Sequence, residues 1–273
     1  MFYYFGMSFV VVDKPRPQVT LITLNRPERM NAMAFDVMIP LKERLEEVSR
    51  DNDTRVVVIT GSGHGFCSGA DQRSAGVLPG VDGLGAPLKA IRAMELLENV
   101  VLAIRDLHQP VIAAVNGAAI GGGLCLALAA DIRIASTGAY FRAAGINNGL
   151  TASELGLSYL LPRAIGHSRA AEIMLTGRDV DAAEADRIGL VSGVEEPERL
   201  LDACYERAER IAGFSHTGVE LTKRSLWSSL DAGSLEAHMR SEGAAQLLVR
   251  VTTQNFEEAV RARKEQRPPL FKD

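Results

Sequence analysis

The stretch of this chain best suited to chemistry runs Val111–Ile112–Ala113–Ala114–Val115–Asn116–Gly117–Ala118–Ala119–Ile120–Gly121–Gly122–Gly123. The β-branched run after Pro110 reads as a buried strand, Asn116–Gly117 as a turn, and the apolar residues 124–130 as a buried helix. Strand, glycines and helix in that order leave backbone N–H groups bare at a helix start, where the helix dipole is positive. Such a place takes an anion, or an oxygen on which negative charge develops during a reaction. Residues 61–71 have the same small, glycine-rich character, so the expectation is two backbone sites facing one another. A structural reading competes: a tight turn at Gly61–Ser62–Gly63, and close helix–strand packing at the triple glycine.

Side chains able to move a proton are few. Cys125 lies in an Ala/Leu run and reads as a small buried hydrophobe before it reads as an acid or base. Glu154 ends Thr151–Ala152–Ser153–Glu154, a capping box that would tie its carboxylate back to a helix start. A carboxylate tied to a backbone N–H would have its pKa lowered. Asp71 reads as ordering its own loop. His64, His108, His167, His216 and His238 show no metal spacing with acids or cysteines, so no metal is expected. Trp227 and Met239 sit at helical spacing and read as core or interface, and Lys264 and Arg267 as a polar helix end.

A chain of 273 residues with 47% hydrophobic content can bury a substantial core. A formal net charge of −4 without a lysine–arginine block gives no support to a nucleic-acid or anionic-membrane partner. Cys67, Cys125 and Cys204 form no C-x-x-C pair, which argues for reduced thiols in a cytoplasmic setting. Residues 1–7 are apolar and aromatic but lack the features of a signal peptide, and read as a flexible extension with Met7 as an alternative start. No other segment approaches transmembrane length.

Residues 9–12 and 19–24 read as a hairpin turning at Pro15–Arg16–Pro17, followed by a cationic loop at 25–31. Residues 34–50 have the apolar period of an amphipathic helix, and Val56–Val57–Val58–Ile59 is a strand covered on both faces. Residues 61–71 look too rich in small residues for regular structure, and 74–86 read as a mobile segment over a site. A helix is expected at 88–107 and a strand at 132–135. Beyond residue 168 the strand signal fades, and helices are expected at 168–175, 182–187, 198–212, 219–230, 235–249 and 256–266. The class is therefore α/β with mostly parallel pairing, ending in helices whose apolar faces suit subunit association.

Several motifs in order resemble one family. Asn25–Arg26–Pro27, Gly65–Phe66–Cys67–Ser68–Gly69–Ala70–Asp71, Val115–Asn116–Gly117 with Gly121–Gly122–Gly123, and Leu175–Thr176–Gly177–Arg178 with Gly189–Leu190–Val191 are similar to those of the crotonase superfamily, the enoyl-CoA hydratase/isomerase group. The resemblance runs from about residue 8 to the C-terminus. It implies a spiral of ββα turns over residues 8–205 and a C-terminal helical trimerisation region over 206–273. It also implies a homotrimer or dimer of trimers, and a coenzyme A thioester as substrate with no separate cofactor. By position, the two N–H groups that hold the thioester oxygen fall on Ala70 and Gly122, with the small Ser68, Gly69 and Gly121 around them. Arg26 and Arg29 fall in the loop that lies near the nucleotide, where they would meet its phosphates or remain solvated.

The chain departs from the hydratase pattern. Counted from the triple glycine, the two glutamates that handle water fall on Cys125 and Gly145. Glu154 instead stands, counting back from Pro162, where family members that shift double bonds carry one acid–base carboxylate. The resemblance therefore implies an enoyl-CoA isomerase. Hydration with atypical acid–base residues is the alternative, and a non-catalytic acyl-CoA-binding protein a further one.

Overall fold

The computed structural model describes residues 8–272, so the expected extension at 1–7 lies outside the described residues. β1 (Val10–Arg16) and β2 (Val19–Leu24) form the expected antiparallel hairpin. The turn, however, falls at Pro17–Gln18, with Gln18 at φ 62°, and not at Pro15–Arg16–Pro17. Pro15 stays in the strand because β1 is an edge, where a missing N–H costs no ladder bond. From β2 the sheet continues in parallel through β3 (Val56–Gly61), β5 (Val111–Val115), β7 (Ile132–Ser136) and β10 (Val194–Glu195). Every residue of β3 and β5 is buried, which explains their unbroken apolar runs.

After each central strand the chain steps into a second, smaller sheet before turning into a helix. β4 (Gly65–Cys67), β6 (Ala118–Ile120) and β8 (Tyr140–Arg142) pair in parallel there, and β9 (Asp179–Asp181) closes the edge antiparallel to β8. The helices α1 (Phe35–Ser49), α2 (Ala86–Asp106) and α3 (Gly122–Ala129) follow β2, β4 and β6. The repeat is thus β into the large sheet, β into the small one, then α. Residues 61–71, expected to be irregular, contain β4. Three-residue strands of small residues are too short for a period-2 pattern to register.

α4 (Leu157–Ile165), α5 (His167–Thr176) and α6 (Ala182–Arg187) lead into α7 (Leu200–Ala212). Leu200, Cys204, Tyr205 and Ala208 of α7 cover the outer face of the large sheet against Val19, Val56, Val58 and Ile112. The division expected at residue 205 falls inside this helix. β9 and β10 also show that strands persist beyond residue 168. The last three helices are α8 (His216–Ser229), α9 (Leu235–Thr252) and α10 (Asn255–Lys264). Leu235, Met239, Leu247 and Val251 of α9 are exposed, and a groove of about 1230 Å³ runs between α8 and α9. No helix among the described residues is long and apolar enough to cross a membrane.

Candidate active site

Two amide side chains draw the glycine-rich segments together. Asn116, between β5 and β6, accepts from the Gly61 N–H at 3.2 Å and donates to the Gly63 carbonyl at 3.0 Å. Asn31, fully buried, donates to Ser62 O at 3.0 Å and Gly65 O at 2.8 Å, and accepts from Arg26 N–H at 2.8 Å. Neither role was legible in the sequence, where Asn116 registers as a turn former and Asn31 as a loop residue.

So stitched, the loop after β4 lies against the start of α3. A Cβ placed on Gly69 would sit 2.6 Å from Ile120 O and 3.5 Å from Gly122 N. Ala70 forms an isolated parallel bridge with Met33: Met33 N–H donates to Gly69 O at 2.7 Å, and Asp71 N–H to Met33 O at 3.0 Å. The Ala70 and Gly122 N–H groups meet no acceptor among the described residues. Gly121 makes the corner from β6 into α3 at φ 54° and ψ −120°, a conformation only glycine adopts freely. Its N–H is anchored on Arg142 O at 2.8 Å. Gly122 leaves no space for a side chain, because Met33 Sδ occupies the place its Cβ would take. Ser68 is half-buried; its N–H donates to Met30 O at 3.0 Å and its hydroxyl to Arg29 O at 3.3 Å.

Asp71 orders this loop, as expected, but with more partners than its own backbone. Its carboxylate, 1% exposed, accepts from the Arg73 N–H at 2.9 Å and the Ser74 N–H at 3.1 Å. It also pairs with Arg29, and with Arg26 at 3.0 Å. Burial alone would push its pKa up; those backbone donors and Arg29 outweigh burial and hold it at about 2. Arg26 and Arg29 are therefore committed to a buried anion and are not solvated loop charges. Arg26 is further enclosed by the Phe9 ring, 5.3 Å below its guanidinium carbon.

Glu154 departs from the capping-box expectation. Thr151 Oγ1 donates to Ser153 O at 3.2 Å, and α4 begins only at Leu157, after Gly156 in the left-handed region. The Glu154 carboxylate instead turns to the glycine corner: Oε1 lies 3.1 Å from the position a Cβ on Gly121 would take. No hydrogen-bond donor reaches it among the described residues, and burial pushes its pKa up. The next residue, Leu155, is left-handed at φ 47° and nearly buried, a strained conformation that costs of order 1 kcal/mol or more for a non-glycine residue.

The two positions that depart from the hydratase pattern have structural reasons. Cys125 is fully buried in α3, with Sγ 3.4 Å from both Gly121 O and Glu154 O. Burial pushes its thiol far up, so it stays protonated and bridges the Glu154 segment to the glycine corner. At Gly145 any Cβ would collide with the carbonyl of Thr151. The chain thus closes on itself over 145–151, with Leu150 N–H donating to Gly145 O at 3.0 Å, and this closure delivers Glu154. His64 is exposed beside the loop.

The alternating two-sheet ββα spiral with this glycine corner defines a crotonase-type fold. The chain belongs to the enoyl-CoA hydratase/isomerase family, whose profile matches residues 15–273. It is 71% identical over 267 residues to a probable enoyl-CoA hydratase, EchA12, of Mycobacterium tuberculosis, covering 98% of this chain and 94% of that protein. It is similar to the crystal structure of a probable enoyl-CoA hydratase/isomerase from Mycobacterium abscessus, with 67% identity, a TM-score of 0.94, and 97% and 99% of the two chains covered. A monofunctional enoyl-CoA isomerase from M. smegmatis is 63% identical with a TM-score of 0.73, covering 85% of this chain and 99% of that one.

Proposed function

We propose that this chain moves the double bond of an enoyl-CoA, using Glu154 to carry the proton and the N–H groups of Ala70 and Gly122 to hold the thioester oxygen. The observation that carries the reading is the Glu154 carboxylate lying against Gly121, with burial raising its pKa and no capping bond tying it down. In the direction from a 3-enoyl to a 2-enoyl thioester, ionised Glu154 takes a proton from C2. The electrons pass into an enolate whose oxygen becomes negative. The protonated carboxyl then returns the proton to C4, the double bond forms between C2 and C3, and Glu154 is ionised again. One group taking and giving the same proton works best with a pKa near the working pH, and burial shifts Glu154 upward, in that direction.

The enolate needs donors fixed in advance. The Ala70 and Gly122 N–H groups have no competing acceptor, and the Gly122 group carries the positive end of the α3 dipole. Removal of one such donor costs about 2.7–4 kcal/mol in enzymes of acyl transfer. Arg26 and Arg29 serve this reading by holding Asp71, and through it the Ala70 loop, more than by meeting coenzyme A phosphates. Three buried reduced thiols suit a cytoplasmic enzyme. The exposed apolar residues of α8 and α9 suit a trimer or a dimer of trimers.

Hydration is the second reading, favoured by the hydratase names of several relatives. It asks for a group that positions water beside the acid. Among the described residues the Glu154 carboxyl is shifted by burial alone, with no second carboxylate acting on it. The resemblance to the M. smegmatis isomerase supports the single-acid reading. Purified protein given a trans-3-enoyl-CoA and a trans-2-enoyl-CoA in parallel separates the alternatives. Appearance of the conjugated thioester band from the first, with slow or no loss of that band from the second, is the expected result. Turnover of the second alone makes the protein a hydratase, and binding of both without turnover makes it a binding protein.

A further inference from the structure

We propose that His108, His216 and Glu220 form a binding site for a zinc-like divalent cation, built where α8 meets the core and separate from the glycine corner. Linear spacing gave no hint of it, because His108 is over a hundred positions from its partners. The fold brings one ligand atom from each residue to within 4.8 Å of the others. His216 and Glu220 stand four apart on α8, which puts both on one face of the helix. His108, between α2 and β5, faces them, its ring centroid 5.8 Å from that of His216.

The arrangement around His108 is that of a ligand already oriented. Its Nε2 lies 3.0 Å from Ser49 O at the end of α1, so Nε2 carries the proton and donates to that carbonyl. This fixes the tautomer and leaves Nδ1 with a lone pair, the role that a backbone carbonyl plays behind a metal-bound histidine. Nδ1 is buried, makes no hydrogen bond, and lies 3.8 Å from Glu220 Oε2. The other carboxylate oxygen of Glu220 is taken by Arg224, one turn further along α8, which turns Oε2 toward the histidines.

The backbones around the cluster are rigidly held. Gln109, next to His108, donates to Val48 O at 2.9 Å, and its own carbonyl accepts from Lys223 Nζ at 2.9 Å. Lys223 in turn pairs with Asp131 at 2.9 Å, and Trp227 Nε1 donates to the same carboxylate at 2.6 Å. Two imidazole nitrogens and one carboxylate oxygen are a borderline donor set that suits Zn²⁺, with water completing four-coordination. The side chains of His108 and Glu220 are 21% and 25% exposed, which leaves a path for an ion. Occupied, the site would clamp α8 to the ends of α1 and α2.

The test titrates zinc into chelator-treated full-length protein, following binding by calorimetry and stability by thermal unfolding. One zinc per chain and a higher unfolding midpoint with zinc are expected for the wild type. His216→Ala and the isosteric Glu220→Gln should each weaken binding at least about tenfold, since loss of a mere outer-shell partner already costs 10–100-fold. Both should lose the zinc-dependent rise. Unfolding without metal verifies that both variants fold. His238→Ala, on the His238–Glu242 pair of α9, should bind zinc as the wild type does. Absence of saturable binding, or unchanged affinity in both site variants, overturns the proposal. In that case His108 and Glu220 are an ordinary ion pair.

Discussion

The two halves of the candidate site are built from different materials. The Ala70–Gly122 half is backbone: its groups are amides, placed by β4, β6 and the first turn of α3, and locked by Asn31, Asn116 and Asp71. The Glu154 half is one side chain on an irregular segment, held by the Gly145 contact, the left-handed Leu155 and the shared Cys125 thiol. A backbone site tolerates almost no change in its surroundings but says little about the reaction. A side chain on a loop sets the reaction and can be exchanged without dismantling the fold.

That contrast breaks most sharply at Gly122. Gly122→Asp puts a side chain into Met33 and a negative charge beside the proposed thioester-oxygen site. Turnover of any enoyl-CoA should fall by about a thousandfold or more, with loss of stability in thermal unfolding. Retained turnover would remove the backbone half from the mechanism. Next in size, Asp71→Asn leaves Arg26 and Arg29 without their buried anion, a change that costs roughly 3–5 kcal/mol when a buried pair is broken. Its stability should also lose a pH dependence. The wild-type carboxyl, depressed below its unfolded value, contributes stability that is present above about pH 4 and lost as pH falls toward about 2. Urea unfolding of both proteins across that range checks the sign.

The side-chain half predicts the opposite trade. Because burial raises the Glu154 pKa, ionised Glu154 makes the folded state less stable as pH rises through that value. Glu154→Gln should therefore unfold at an equal or higher temperature near pH 7, and the difference should vanish under acid conditions. Smallest of all, Cys125→Ala removes a neutral bridge. It should lower turnover only a few-fold and leave the pH profile in place, since the thiol stays protonated.

Legibility followed the same divide. The glycines at 69 and 121–123 and the buried runs of β3 and β5 are long or repeated enough to register in sequence, so the backbone half was visible there. β4, β6, β8 and β9 were not: three residues each, they owe their existence to pairing in a second sheet that no local pattern encodes. Glu154 was visible as a residue with two competing readings, a helix cap and an acid–base carboxylate. Thr151-x-x-Glu154 satisfies the capping box locally, but Gly156 starts α4 later and frees the carboxylate to face Gly121. The pairing of Arg26 and Arg29 with Asp71 spans over forty positions and had no local signal.

The most direct test of the central claim is the steady-state rate of Glu154→Gln with a trans-3-enoyl-CoA, measured beside its affinity for a saturated acyl-CoA. Removal of the proposed proton carrier should lower kcat by about 10²–10⁴ while leaving thioester affinity within a few-fold of the wild type, because the Ala70 and Gly122 amides remain in place. The wild-type rate should also fall on acidification at a pH above the ordinary glutamate range, as Glu154 becomes protonated, and that limb should be missing from the variant. Full isomerase activity in Glu154→Gln would contradict the assignment outright.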